Sequence, residues 1–151
     1  MEKNLIAKAS INISAPSTNV WNALVTPQAI KHYMFVTNVV SNWSEGSSIV
    51  WKGEWQGKSY EDKGEILQFK PGQRLQYSHF SSLSGLPDKP ENYHTVTIDL
   101  AVEGPHTRVS LAQDRNATEE TRAHSEKNWG MMLTGLKNFL EEQTQNSSGR
   151  T

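Results

Sequence analysis

Asp62 and His79 are the side chains of this sequence best suited to move a proton, and Tyr60, Tyr77 and His94 are best suited to orient a small molecule. In an extended strand alternate residues share a face, so Tyr77 and His79 lie with Leu75, and His94 lies with Val96, Ile98 and Leu100. If those faces meet, a phenol and two imidazoles enter an otherwise apolar space. A few polar groups among apolar walls are what orients a ligand. The alternative for each histidine is a satisfied core position or a strand end near solvent. Tyr60, Asp62, Gly64 and Ile66 also share a face if their strand is regular. An inward Asp62 would be an acid or base with its pKa raised by desolvation. A bulge at Gly64 would instead turn Asp62 to solvent, and that surface position is the expectation. Metal chemistry is not expected. His32, His79, His94, His106 and His124 lack ligand spacing, and the chain has no cysteine. No serine sits in a G-x-S-x-G elbow and no glycine-rich phosphate loop is present, so no cofactor is expected.

The walls of such a site would be large and apolar. Trp51 and Trp55 share a strand face with Ile49 and Gly53. Gly53 leaves a gap between the two indoles, read as a bend in the strand rather than as room for a ligand. Trp129, Met132 and Leu133 fall on one face of a helix, where core packing is expected and a pocket wall is the functional alternative. With Val96, Ile98, Tyr60, Tyr77 and His79 these residues form the candidate ligand-binding set.

These side chains need elements to position them. Residues 5–14 (LIAKASINIS) alternate loosely, as in a half-buried strand. Ser14-Ala15-Pro16-Ser17 reads as a helix start, with Ser14 as N-cap. Val20, Trp21, Leu24 and Val25 recur at helical spacing, predicting a helix over 16–25 and, after Thr26-Pro27, a second short one over 28–33. Strands are predicted at 36–41, 47–55, 58–69, 74–80, 93–102 and 107–113, with Gln56-Gly57 as a tight hairpin and Pro71-Gly72 as a turn. The stretch 81–92 (SSLSGLPDKPEN) has loop composition and is placed as a lid at a pocket mouth. Asn116, with Glu119 three residues on, reads as a capping box for a long helix. Trp129, Met132, Leu133, Leu136, Phe139 and Leu140 form its apolar stripe, and a polar tail is expected from 143. Consecutive strands with short turns imply an antiparallel meander with helices on one face, an α+β fold.

With 151 residues, one domain over 1–142 is expected. Lys plus Arg is 15 against 16 for Asp plus Glu, a formal charge of −1 with no long runs. That balance gives no electrostatic footprint for nucleic acid or an anionic membrane. Met1-Glu2-Lys3-Asn4 lacks the apolar stretch of a signal peptide, and no apolar run approaches the ~20 residues of a membrane span, so a cytoplasmic protein is expected.

Several of these segments also carry a resemblance. Ala15-Pro16-x-x-x-Val20-Trp21-x-Ala23-Leu24-x-Thr26-Pro27 is similar to the opening signature of the START-like, or helix-grip, superfamily. Tyr60-x-Asp62-x-Gly64-Glu65-Ile66-Leu67, Pro71-Gly72-x-Arg74-Leu75-x-Tyr77 and Asn128-Trp129-x-x-x-Leu133-x-x-Leu136-Lys137 match in order and spacing. So do Val96-Thr97-Ile98-x-Leu100 and Thr107-x-Val109-x-Leu111. Within the superfamily the chain resembles the branch named for the activator of heat shock protein 90 ATPase homologue, over about residues 5 to 142. It departs in carrying Tyr33 where many relatives have tryptophan. The resemblance implies a curved antiparallel sheet of about six or seven strands wrapped around a long C-terminal helix, with two short helices after the first strand and a cavity between sheet and helix. Family activities range over lipid and hormone binding, polyketide cyclisation and chaperone stimulation, and fold does not choose among them. The expected function is non-catalytic binding of a small hydrophobic or aromatic ligand by a monomer or homodimer. One alternative is a cyclase or aromatase-type enzyme using Asp62 with His79. The other is a chaperone-interaction module.

Overall fold

The computed structural model describes residues 5–34, 38–55, 57–81 and 85–148, without the side chains of Trp55 and of residues 143–148. Seven strands form one curved antiparallel sheet: β1 (Leu5–Ile13), β2 (Asn38–Ser41), β3 (Ser48–Trp55), β4 (Lys58–Lys70), β5 (Arg74–His79), β6 (His94–Glu103) and β7 (His106–Asn116). Two short helices, α1 (Ser17–Leu24) and α2 (Pro27–Tyr33), follow β1, and α3 (Glu119–Ser148) closes the chain. The spatial order is β1-β7-β6-β5-β4-β3-β2. Strands β2 to β7 thus form the meander expected from their short turns, and β1 joins its far side by pairing with β7. The α+β helix-grip architecture is as expected. The strand expected over 36–41 is described only from Asn38, with 36 and 37 outside the described residues. The long helix continues past its expected end at 142 to Ser148.

The core lies between the inner sheet face and the helices. Ile13, Ile66, Val96, Val109, Leu133 and Leu136 are fully buried there. Leu133, Leu136 and Leu140 come from the expected stripe of α3, whose axis lies against this face.

Helix starts differ from expectation. No side chain caps α1, which begins after Pro16. Ser14 lies too early in the chain to reach it, and instead its backbone N–H donates to Glu141 Oε2 at 3.0 Å. At α3 the reciprocal cap is Thr118 with Thr121, not Asn116 with Glu119. Thr121 N–H donates to Thr118 Oγ1 at 3.1 Å, and Thr118 N–H to Thr121 Oγ1 at 3.0 Å. Asn116 is still in β7 and buried, and its amide donates to the carbonyls of Leu5 and Gln113 while Ser125 Oγ donates to its Oδ1.

Strand β1 is a sheet edge, and an edge exposes a row of backbone groups that must find partners. Two carboxylates of α3 supply acceptors. Glu126 takes the N–H of Lys8, and Glu141 that of Ser14 just beyond the strand, each at 3.0 Å. The Lys8 N–H and the Arg122 guanidinium hold the Glu126 carboxyl below its ordinary range. Lys137 and the Ser14 N–H do the same for Glu141.

Two glycines mark where backbones come close or stay open. A Cβ on Gly64 would fall 1.7 Å from the Ser78 carbonyl oxygen of the neighbouring strand, whereas one on Gly130 in α3 would meet nothing within 4 Å.

Two predictions follow from this packing. A depressed carboxyl contributes stability that is present above the ordinary glutamate pKa, about 4.3, and is lost as pH falls through its lower folded value. The double variant Glu126→Gln/Glu141→Gln should therefore be less stable than the parent at neutral pH, with the difference closing in acid. Urea midpoints measured from pH 7 to pH 3 check this, and a difference constant with pH contradicts it. Gly64→Ala should cost ~3 kcal/mol or prevent folding, while Gly130→Ala should gain ~0.5–1 kcal/mol, both read from thermal or chemical melts.

Candidate functional site

Register sets which side chains face α3. In β3 and β4 the inward pairs are Trp51 with Asp62 and Gly53 with Tyr60. In β5 and β6 they are Leu75 with Ile98, Tyr77 with Val96 and His79 with His94, and Gln113 on β7 pairs with Val96. Sequence alternation therefore predicts the inward face correctly for most of the candidate set.

Asp62 is the correction. The expected bulge at Gly64 does not occur, because Ile66 pairs with Tyr77 and Lys63 bridges Phe80 in the same register phase. The shift comes later, between Ile66 and Gln68. Tyr60, Asp62 and Ile66 thus keep one face, and the Asp62 side chain is only 14% exposed. Its Oδ2 lies 3.1 Å from His79 Nε2. The carboxylate accepts, so Nε2 carries the hydrogen, and in the neutral ring Nδ1 remains a bare lone pair. Nδ1 is buried without a hydrogen-bond partner, and the ring meets Trp51 edge-on with centroids 5.0 Å apart. Burial, and then the charge of Asp62, push the Tyr60 phenol above its ordinary value.

The gap at Gly53 is not open space for a ligand. A Cβ there would fall 2.5 Å from the Tyr60 hydroxyl, so the ring of the paired residue lies across the glycine and fills the gap. This is an aromatic covering a strand glycine. The Trp55 side chain lies outside the described residues.

Tyr77 is 4% exposed and its ring packs on Trp51 with centroids 5.1 Å apart. Burial raises its phenol far above the ordinary range. Val96, Ile98 and Leu133 are core side chains in the same apolar cluster. His94 is satisfied, its Nδ1–H donating to the Asp114 carbonyl at 2.8 Å. Trp129 donates its indole N–H to Gln113 Oε1 at 3.0 Å.

The space around these groups is divided. Beneath the middle of α3 a cavity of about 20 Å³ remains, bordered by Trp51, Tyr77, Ile98, Tyr33, Met34 and Met132. Trp43 also borders it, with an unusual left-handed backbone at φ 55°. At one end of the grip an open pocket of about 680 Å³ lies between the end of α2, β7 and the first half of α3. Its walls include Trp129, Met131, Met132 and Met34, with Gln113 and His124 as polar groups. Of the expected wall, Trp129 and Met132 reach this pocket, and Trp51, Tyr77 and Ile98 reach only the small cavity. Tyr33, Met34, Gln113 and His124 were not expected. Gln113 was signalled by alternation with Val109 and Leu111, while the other three come from tertiary packing. The loop placed as a lid is described from Gly85 onward, with 82–84 outside the described residues. Its Asp88, with Tyr93 just beyond the loop, borders a depression with Lys63, Glu65 and Thr95, outward positions on the far face from α3. There Lys63 pairs with Asp88, and the Tyr93 hydroxyl donates to Asp88 at 2.6 Å.

Breaking a partly buried charge-assisted hydrogen bond strands its partner. Asp62→Asn should cost ~1–3 kcal/mol of stability and bring the Tyr60 phenol down toward its ordinary value. Chemical denaturation and a tyrosinate absorbance titration test the two effects, and an unmoved Tyr60 would contradict the proximity of the two groups.

Residues 14–141 match the family described as Activator of Hsp90 ATPase homolog 1-like protein. No curated protein matches the chain. Among solved structures, a protein of Cytophaga hutchinsonii is 59% identical, with a TM-score of 0.84 over 96% of this chain and 99% of that one. The Aha1 dimer from Colwellia psychrerythraea is 20% identical, with a TM-score of 0.70 over 90% and 96% of the two chains. CalU16 from Micromonospora echinospora is 21% identical, with a TM-score of 0.67 over 95% and 88%. The last two show likeness of fold alone.

Proposed function

The chain belongs to the Activator of Hsp90 ATPase homolog 1-like family, and from that premise we propose that it binds a small, mainly apolar aromatic molecule in the open pocket beside α3, without catalysis. The observation that carries this reading is the pocket of about 680 Å³. That volume falls within the range of small-molecule sites, and the combination of apolar walls with a few polar groups is typical of them. The wall is soft: Met34, Met131 and Met132 are flexible thioethers that adapt to ligand shape. Trp129 is fixed by its bond to Gln113 and offers a flat apolar surface.

A second reading, an acid–base enzyme, has one observation in its favour, the Asp62–His79 pair. A general base must reach the proton it removes. His79 Nδ1 is buried, and neither residue borders the open pocket, so binding without catalysis is the better-supported reading.

Met131 is 54% exposed and borders the pocket, so it separates binding from folding. Met131→Glu should weaken binding of an apolar fluorophore at least fivefold while changing stability by no more than ~0.5 kcal/mol. Saturation at about 100 times the dissociation constant should stabilise the parent by ~2.7 kcal/mol. Tryptophan fluorescence titrations and thermal melts provide both readouts, and a parent protein that binds no apolar probe would sink the proposal.

A further inference from the structure

The core beneath α3 contains two buried phenols in different states. Tyr33 donates its hydroxyl to the Ala23 carbonyl at 2.6 Å, with the ring tied in place. Tyr77, 4% exposed, makes no hydrogen bond through its hydroxyl among the described residues, and that oxygen is not sealed off as His79 Nδ1 is, so it keeps contact with accessible space. A hydroxyl within the core that bonds to no protein group takes its partner from whatever occupies the space beside it.

The position of Tyr77 indicates what that partner is. It borders the cavity of about 20 Å³ in the core. Tyr33, Met34 and Met132 border this cavity and also the open pocket of about 680 Å³, so these three side chains form the partition between the two. Tyr33 is anchored by its hydroxyl and by the close approach of Gly135, where a Cβ would lie 3.2 Å from the Tyr33 Cβ. The two methionines are unbranched and change rotamer at little cost. A ligand that displaced them would pass from the open pocket into the core and arrive beside Tyr77 and Trp51.

We infer that the Tyr77 hydroxyl is the hydrogen-bond donor for the innermost atom of the bound molecule, and that this atom is an uncharged acceptor, a ketone, aldehyde or quinone oxygen on a flat aromatic frame. This deepens the binding reading above and rests on it. The phenol is held protonated by its burial, so it acts as a donor at any ordinary pH. Among the described residues no cationic side chain borders the inner cavity, and a carboxylate brought there would be desolvated with a single neutral donor to compensate. Trp51 and Tyr33 border the inner cavity and favour a flat frame.

The test uses two planar probes of the same shape, acetylnaphthalene and isopropenylnaphthalene, which differ in a carbonyl oxygen against a methylene. Tyr77→Phe keeps the ring and removes an unpartnered hydroxyl, so the variant should fold with unchanged or higher stability. It should lower affinity for the ketone about fivefold and leave the hydrocarbon unchanged, the difference expected for one net hydrogen bond. In the parent protein the bound ketone should show a lower carbonyl stretching frequency than the same ketone in hexane, a readout that a merely structural role for Tyr77 would not move. If both probes bind and Tyr77→Phe affects them alike or not at all, or the carbonyl frequency matches hexane, the assignment of Tyr77 is overturned and the pocket reading stands. If neither probe binds the parent, both fall together.

Discussion

An antiparallel sheet of seven strands has two edges and two faces, and α3 satisfies one of each. Its apolar stripe covers the inner face through Leu133, Leu136 and Leu140, while Glu126 and Glu141 accept N–H groups along the β1 edge. The two kinds of contact constrain different things. Apolar burial is non-directional and would tolerate a helix that slid or rolled on the sheet. Hydrogen bonds to Lys8 and Ser14, from carboxylates just over four turns apart on the helix, fix its position lengthwise and its rotation. The height and angle of α3, and hence every cavity beneath it, depend on that edge.

Given that placement, the distribution of free space follows from side-chain volume. In the middle of the grip Trp51, Tyr77, Ile98 and Met132 nearly fill the interval between sheet and helix. Near the centre of α3, α2 comes against Gly135, which has no side chain to hold Tyr33 away. The remaining opening lies toward the first half of α3, where Trp129 and Met131 face the end of α2 across unfilled space. The open space beside the grip therefore lies toward the N-terminal half of α3.

Elements were legible in the sequence because their periods are set by local geometry. Alternation put Tyr77 and His79 on one face, and the spacing of Trp129, Met132, Leu133 and Leu136 marked one side of a helix. Asp62 was misplaced because a glycine in a strand has two readings, a bulge or a close approach of another backbone. Gly64 is the second kind, with the Ser78 carbonyl against it. Gly53 repeats the ambiguity with a different answer, since the residue that covers it, Tyr60, is defined by register across the hairpin and not by any neighbour in sequence. Cap identity depended on where β7 ends: Asn116 has the right chemistry for a cap but sits in the strand, and Thr118 takes its place. The open pocket was the least legible feature. Its volume is a difference between large packed volumes contributed by three distant segments, and no local pattern encodes it.

The polar groups of the inner face divide by whether the protein itself satisfies them. His94 bonds to a backbone carbonyl, and Gln113 accepts from Trp129. Asp62 and His79 bond to each other and so fix an imidazole against the edge of Trp51. Apart from His79 Nδ1, which stays buried and unpartnered, these bonds close local networks and contribute rigidity where the sheet must hold its shape under α3. Trp51 is held by two ring contacts, with His79 and with Tyr77. The adaptable side chains therefore lie on the helix side of the cavity, in the thioethers of Met34 and Met132, opposite an aromatic and aliphatic sheet face braced at its end by the Asp62–His79 bond.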